Sequence, residues 1–188
     1  MQAQAGTGHG TGTGKVQRVA ILGAESSGKS TLAAALAAHY CTLWVPEYLR
    51  AFVEEKERVP QECDQYPIAL TQMAHEDALA AQAAASARRF LFCDTTPLMT
   101  AIYSRWYWNR VDAQLAVLER RHDYAFTLVT APDSPWEADG LQRESEAVRQ
   151  TIHAQVLQML AERGIAYLLV TGSLQQRMLQ ATRLLDLP

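Results

Sequence analysis

The run Gly23-Ala24-Glu25-Ser26-Ser27-Gly28-Lys29-Ser30 places two glycines, a lysine and a hydroxyl at the spacing G-x-x-x-x-G-K-[ST]. Side chains of these types in this pattern bind phosphate. The glycines let the backbone wrap an anion, so that amide hydrogens and a helix N-terminus face it. Lys29 then reaches β- and γ-phosphates, and the Ser30 hydroxyl serves Mg²⁺. The expected nucleotide contacts are Gly23, Ala24, Glu25, Ser26, Ser27, Gly28, Lys29, Ser30 and Thr31. A Gly/Ser-rich turn can match such a pattern by accident, and the flanks argue against it. Val16 to Leu22 reads as a buried parallel strand, and Thr31 to Ala38 is strongly helix-forming.

Further along lie residues suited to act beside a phosphate chain. Glu47 can accept a proton from an attacking hydroxyl, and Arg50 can hold an anionic or polar group. The plain alternative for this pair is a solvated helix start. Asp94 ends an apolar strand, where an acid either holds Mg²⁺ or acts as base. Its plain alternative is a helix N-cap. The segment Trp136 to Arg143, followed by Arg149, reads as a kinase-like lid that brings positive charge to a migrating phosphoryl group. A surface loop with an incidental tryptophan is the competing account. Gln72 on a long helix can read an amide or a ribose. Tyr103, Trp106, Tyr107 and Trp108 are expected to pack rather than to stack on a ligand ring.

Strands and helices alternate around these residues. Strands are expected at Cys41 to Val45, Arg89 to Asp94, Tyr124 to Thr130 and Ile165 to Val170. Helices are expected at Asp64 to Arg88, from Pro97 onward, at Val111 to Arg121, up to Glu162 and at the C-terminus. This alternation predicts an α/β fold: a parallel sheet of about five strands with helices on both faces. Active residues then gather at the carboxyl ends of the strands. The Gly/Thr-rich stretch over residues 1–15 has nothing to bury and is expected to be a disordered tail, with residues 16–188 forming the domain.

Composition narrows the function class. The 188 residues suit one domain, and a net charge of −3 gives no reason to bind nucleic acid or an anionic membrane. No apolar run has the length of a membrane span. The three cysteines are scattered, which suits reduced thiols and a cytoplasmic setting. His75-Glu76 opens like a zinc motif but has no second histidine, so Mg²⁺ arriving with ATP is the one metal expected. The partner is a small molecule, and the oligomeric state is left open.

Taken in order, Val19 to Thr31, Glu47-Tyr48-x-Arg50, Tyr66-Pro67 with Gln72, Asp94-Thr95 and Trp136-x-x-Asp139-Gly140 resemble the ribosylnicotinamide kinase domain of the bacterial NadR type. The likeness runs from about Val16 to the C-terminus. It implies a P-loop NTPase fold like that of the nucleoside and nucleotide kinases. It also implies ATP-dependent phosphorylation of the 5′-hydroxyl of nicotinamide riboside, giving nicotinamide mononucleotide. In this reading Lys29 and the loop amides hold ATP, Ser30 and Asp94 hold Mg²⁺, and Glu47 or Asp94 takes the proton. Arg50, Arg143 and Arg149 offset the developing charge. Trp136 or Tyr48 stacks on the cationic ring, and Gln72 and Asp139 add polar contacts. Two departures stand out. Gln142 occupies the place of the family's lid arginine, with Arg143 one residue later, and the chain has no room for NadR's adenylyltransferase domain. Another small nucleoside kinase, or a nucleotide-binding regulator with little turnover, is the alternative.

Overall fold

The computed structural model describes residues 15–133 and 145–187. The Gly/Thr-rich stretch through residue 14 and the lid residues Trp136, Asp139 and Arg143 lie outside the described residues. In chain order the elements are β1 (Gln17–Leu22), α1 (Lys29–His39), β2 (Leu43–Val45), α2 (Tyr48–Lys56) and a short 3₁₀ turn (Glu62–Asp64). There follow α3 (Gln65–Ala85), β3 (Phe90–Asp94), α4 (Pro97–Trp108), α5 (Ala113–Arg120) and β4 (Phe126–Thr130). The chain closes with α6 (Glu146–Glu162), β5 (Leu168–Val170) and α7 (Leu174–Leu185).

All strand pairings are parallel, in the order β2-β3-β1-β4-β5. The central strands are apolar on both faces because helices cover both. Val19 and Ile21 pack with Leu32, Leu36, Phe90 and Phe92 on the side of α1 and α7. Their neighbours Ala20 and Leu22 pack with Leu98, Ile102, Ile152 and Val156 on the side of α4 and α6. The two-residue alternation of a strand thus feeds two separate cores. Alanine-rich α1 can lie close to the sheet because Ala33 and Ala37 present little bulk.

The register aligns the strand ends. Ile21 pairs with Asp94, Val45 with Cys93, Leu22 with Val129 and Thr130 with Val170. Everything that follows a strand, namely Gly23, Glu47, Thr95 and Ala131, therefore emerges along one edge of the sheet. The expected strands are all present but shorter. Cys41 turns with φ 49°, so pairing starts only at Leu43. Ile165, expected to open the last strand, lies before β5 and packs on the α4/α6 core. The segment after Glu47 is a complete helix, α2, and not merely a helix start. Asp64 stands before α3 but spends its carboxylate on Gln61 N–H (2.7 Å) and Arg58 rather than on the helix.

Candidate active site

The phosphate loop leaves β1 at Gly23, whose φ is 147° and where a Cβ would lie 2.3 Å from Thr130 Oγ1. Glycine is required there by both conformation and space. Ser27 Oγ donates to Ala24 O (2.7 Å) and shares a hydrogen bond with Thr130 Oγ1 (2.6 Å). These bonds close the loop on itself and pin it to the end of β4. Gly28, at φ 83°, is the N-cap of α1 and turns the chain into the helix. Lys29 Nζ donates to Ala24 O at 2.9 Å, so the ammonium already bridges the loop it is meant to serve. The expected contacts from Gly23 to Ser30 thus form one cradle at the N-terminus of α1. Thr31 follows as an exposed residue of the first helical turn.

Asp94 stands beside this cradle with 1% of its surface exposed, and its Oδ1 has no hydrogen-bond partner among the described residues. Burial raises its pKa, and the nearby Glu47 carboxylate pushes in the same direction. Lys29, the Ser30 hydroxyl and Arg50 pull it back. Those four groups, brought to Asp94 from α1 and the start of α2, are the ones expected from the sequence. A buried carboxylate oxygen without a partner, next to a serine hydroxyl, suits a hard divalent cation such as Mg²⁺. Glu47 ion-pairs with Arg50 Nε at 3.5 Å, and both face the same cavity.

Gln72 braces the arrangement. Its Oε1 accepts from Tyr48 N–H (2.8 Å), and its Nε2 donates to Asp94 O (3.5 Å). One buried amide therefore ties the start of α2 to the end of β3, setting Glu47 opposite Asp94. The Gln72 side chain also reaches the cavity wall. Tyr48, which with Trp136 was one of two alternatives for stacking on a ligand ring, sets its ring edge-on to His75 at 5.4 Å.

The cavity measures about 750 Å³. At one end it meets Gly23, Ser26 and Lys29, and it extends over α4 to Tyr103, Tyr107 and Trp108. These aromatics were expected to pack; Trp106 and Tyr103 do so, against the α4/α6 core, and Tyr103 reaches the cavity as well. Tyr103 donates its hydroxyl to the Glu25 carboxylate and accepts from Glu25 N–H (3.3 Å). Tyr103 and Tyr107 stack with centroids 6.2 Å apart. A signal for them exists in the sequence: Thr95, Met99, Tyr103 and Tyr107 recur every four residues from the end of β3, so they share the face that begins at the site. Glu25, Glu47 and Glu54 add three carboxylates to the lining.

Arg149, expected to meet the transferring phosphate, is buried behind the loop. Its Nη2 donates to Pro132 O (3.0 Å) and pairs with Glu146 (2.9 Å), and its Nη1 approaches Ser26 O at 3.5 Å. Arg177 lies beside it in a similar posture, and sequence reading did not single it out.

Residues 18–177 match the family model described as an AAA domain. The chain is 31% identical over 157 residues to the trifunctional NAD biosynthesis/regulator protein NadR of Salmonella typhimurium, covering 81% of this chain and 37% of that protein. The solved structure of NadR protein in complex with NR superposes with a TM-score of 0.74 at 19% identity, over 94% of this chain and 53% of that one. Thymidylate kinase from Ehrlichia chaffeensis superposes with a TM-score of 0.62 at 12% identity, over 91% of this chain and 99% of that one. The chain therefore spans well under half the length of the curated relative. The phosphate loop on its parallel sheet and the match over residues 18–177 agree: the chain belongs to the AAA domain family of P-loop NTPases, with a domain of the NadR type.

Proposed function

We propose that this chain is an ATP-dependent kinase that phosphorylates the 5′-hydroxyl of nicotinamide riboside, yielding nicotinamide mononucleotide. The observation that carries the reading is the cavity itself. It starts at Lys29 and Glu47 and runs on between carboxylates and the tyrosine and tryptophan faces of α4. A flat, cationic nucleoside matches such a lining: ring faces attract a cation, and carboxylates add charge complementarity. Likeness to NadR over most of this chain supports the same acceptor.

The chemistry asked of the protein is positioning and charge. Lys29 and the loop amides hold the ATP phosphates. Ser30 and Asp94 would hold Mg²⁺, which would neutralise charge on the nucleotide's phosphates. Glu47 accepts the proton of the acceptor hydroxyl, and Arg50 keeps the Glu47 carboxylate turned into the cavity. Trp136, Asp139 and Arg143 are assigned to the closing lid, where Arg143 supplies charge in place of the arginine that Gln142 lacks.

Comparison of kcat/KM for nicotinamide riboside, uridine, cytidine and thymidine, followed by ADP release, tests the reading. The cation contact is worth on the order of 1–2 kcal/mol, so the cationic riboside should lead by roughly five- to thirty-fold. Preference for a neutral nucleoside would replace this function with that of a general nucleoside kinase. ADP release independent of any acceptor would point to a regulatory module.

A further inference from the structure

Arg177 lies in the first turn of α7, and its guanidinium is almost fully buried, with 5% of the residue exposed. It faces the back of the phosphate loop and not the cavity. Its Nε donates to Gly172 O (2.8 Å), one Nη donates to Ser27 O, and the other donates to Ala131 O (3.0 Å) and pairs with Asp133. The side chain thus ties the ends of β1, β4 and β5 through three carbonyls and one carboxylate. A Cβ on Gly28 would lie 3.2 Å from the same guanidinium, so the charge rests directly against the turn into α1. Asp133 is kept ionised: burial pushes its pKa up, but Gly172 N–H and Arg177 outweigh that and hold it below the usual carboxylate value.

The carbonyl that Arg177 grips belongs to the Ser27–Gly28 peptide. A cation hydrogen-bonded to a peptide oxygen polarises the whole group and makes its N–H a stronger donor. Here that N–H belongs to Gly28, at the N-terminus of α1, where phosphate-binding loops present their amides. Arg149 approaches Ser26 O in the same way and so acts on the Ser27 N–H. Two successive amides of the cradle therefore have a buried guanidinium behind them. The planar fork of arginine spreads five donors over three nitrogens and so spans three separated carbonyls and a carboxylate, whereas an ammonium offers its three donors from a single nitrogen.

We propose that Arg177 is a positioning residue of the nucleotide site: it aims and polarises the Gly28 N–H toward the β-phosphate of a bound nucleotide, with Arg149 doing the same for Ser27. The proposal rests on the phosphate loop taking a nucleotide, and it is independent of which acceptor is phosphorylated.

Titration calorimetry with MgADP and with AMP, on wild type and Arg177→Lys, isolates the effect. Only ADP carries a β-phosphate. We expect the ADP Kd to rise about ten-fold while the AMP Kd stays within about two-fold, so that discrimination between the two collapses. A merely structural arginine would weaken both equally, and that outcome overturns the proposal, as does unchanged ADP binding. Should Arg177→Lys fail to fold, NMR on the wild-type protein decides. The Arg177 Nη–H and Gly28 amide signals should shift together on addition of MgADP and not of AMP. Arg177 signals indifferent to ADP would overturn the assignment. Because neither measurement needs turnover, failure here is distinct from failure of the kinase reading.

Discussion

Lys29 changes character between sequence and structure. A phosphate-loop lysine is expected to stand in solvent, yet its residue is only 8% exposed and its ammonium is held by Ala24 O. Truncation to alanine would leave a hole as well as remove a charge. Lys29→Met keeps the packing, so it should lower kcat/KM by roughly 100- to 1000-fold with little change in Tm. Steady-state kinetics and a thermal melt on one preparation check this, and near-normal phosphoryl transfer would remove the kinase reading. The two carboxylates divide differently. Glu47 is partly exposed and paired with Arg50, whereas Asp94 is buried, with one oxygen lacking a protein partner among the described residues. Glu47→Gln should depress kcat by about 100-fold or more while the Mg²⁺ requirement stays put. Asp94→Asn should instead raise the Mg²⁺ needed for half-maximal rate. A Mg²⁺ titration of both variants is the measurement, and the reverse pattern exchanges their roles.

At the scale of elements, the phosphate loop is held by contacts that none of its own residues makes alone. Thr130, at the end of β4, sets its Oγ1 2.6 Å from Ser27 Oγ and 3.2 Å from Leu22 O, leaving no room beside Gly23. Gly23→Ala would place a methyl inside that bond network at a φ that side chains avoid. Strain and overpacking together should cost about 3 kcal/mol. For a chain of this length that lowers Tm by roughly 6–12 °C. Calorimetry should show this loss alongside impaired nucleotide binding, and a Tm within about 2 °C of wild type would mean that the loop relaxes around the methyl. Gln72 has the corresponding role between α2 and β3, where it links two backbones rather than presenting both ends of its amide to a ligand.

Across the whole molecule, buried Glu76 and half-buried His122 give opposing pH dependences. Glu76, on α3, lies against Tyr124, Arg18 and Cys93, and burial raises its pKa from 4.5 to about 7 despite the Tyr124 and Arg18 contacts. The folded state then holds a proton that the unfolded chain releases, so stability falls as pH rises from about 4.5 to 7. His122, bonded to Thr127 Oγ1 at 2.9 Å, has its pKa lowered by burial from 6.5 to about 4. The unfolded chain binds that proton more readily, so stability rises with pH from about 4 to 6.5. In wild type the two slopes offset one another over most of this range. Glu76→Gln should unmask a Tm that climbs between pH 4.5 and 6.5, and His122→Gln one that falls. Melts across this range read both, and parallel behaviour of the two variants would contradict the assignment.

Strand, glycine loop and helix are local features, and periodicity with glycine spacing made them legible before any coordinates. The placement of Glu47 and Asp94 was legible too, because a residue that ends or closely follows a buried parallel strand has few places to go. Packing across the sheet was not legible. That Tyr103 grips Glu25, that Gln72 spans α2 and β3, and that Arg177 reaches Ser27 from 150 residues away all depend on strand order and register. Aromatic residues on α4 look alike in sequence whether they face a core or a cavity, and the rotation of the helix against β3 put Trp106 on the core, Tyr107 and Trp108 on the cavity and Tyr103 on both. Arginine behaved likewise. In the chain Arg149 is a charge suited to phosphate and Arg177 carries no signal at all, but folding turned both guanidiniums toward backbone carbonyls, because a buried cation needs oxygen acceptors around it.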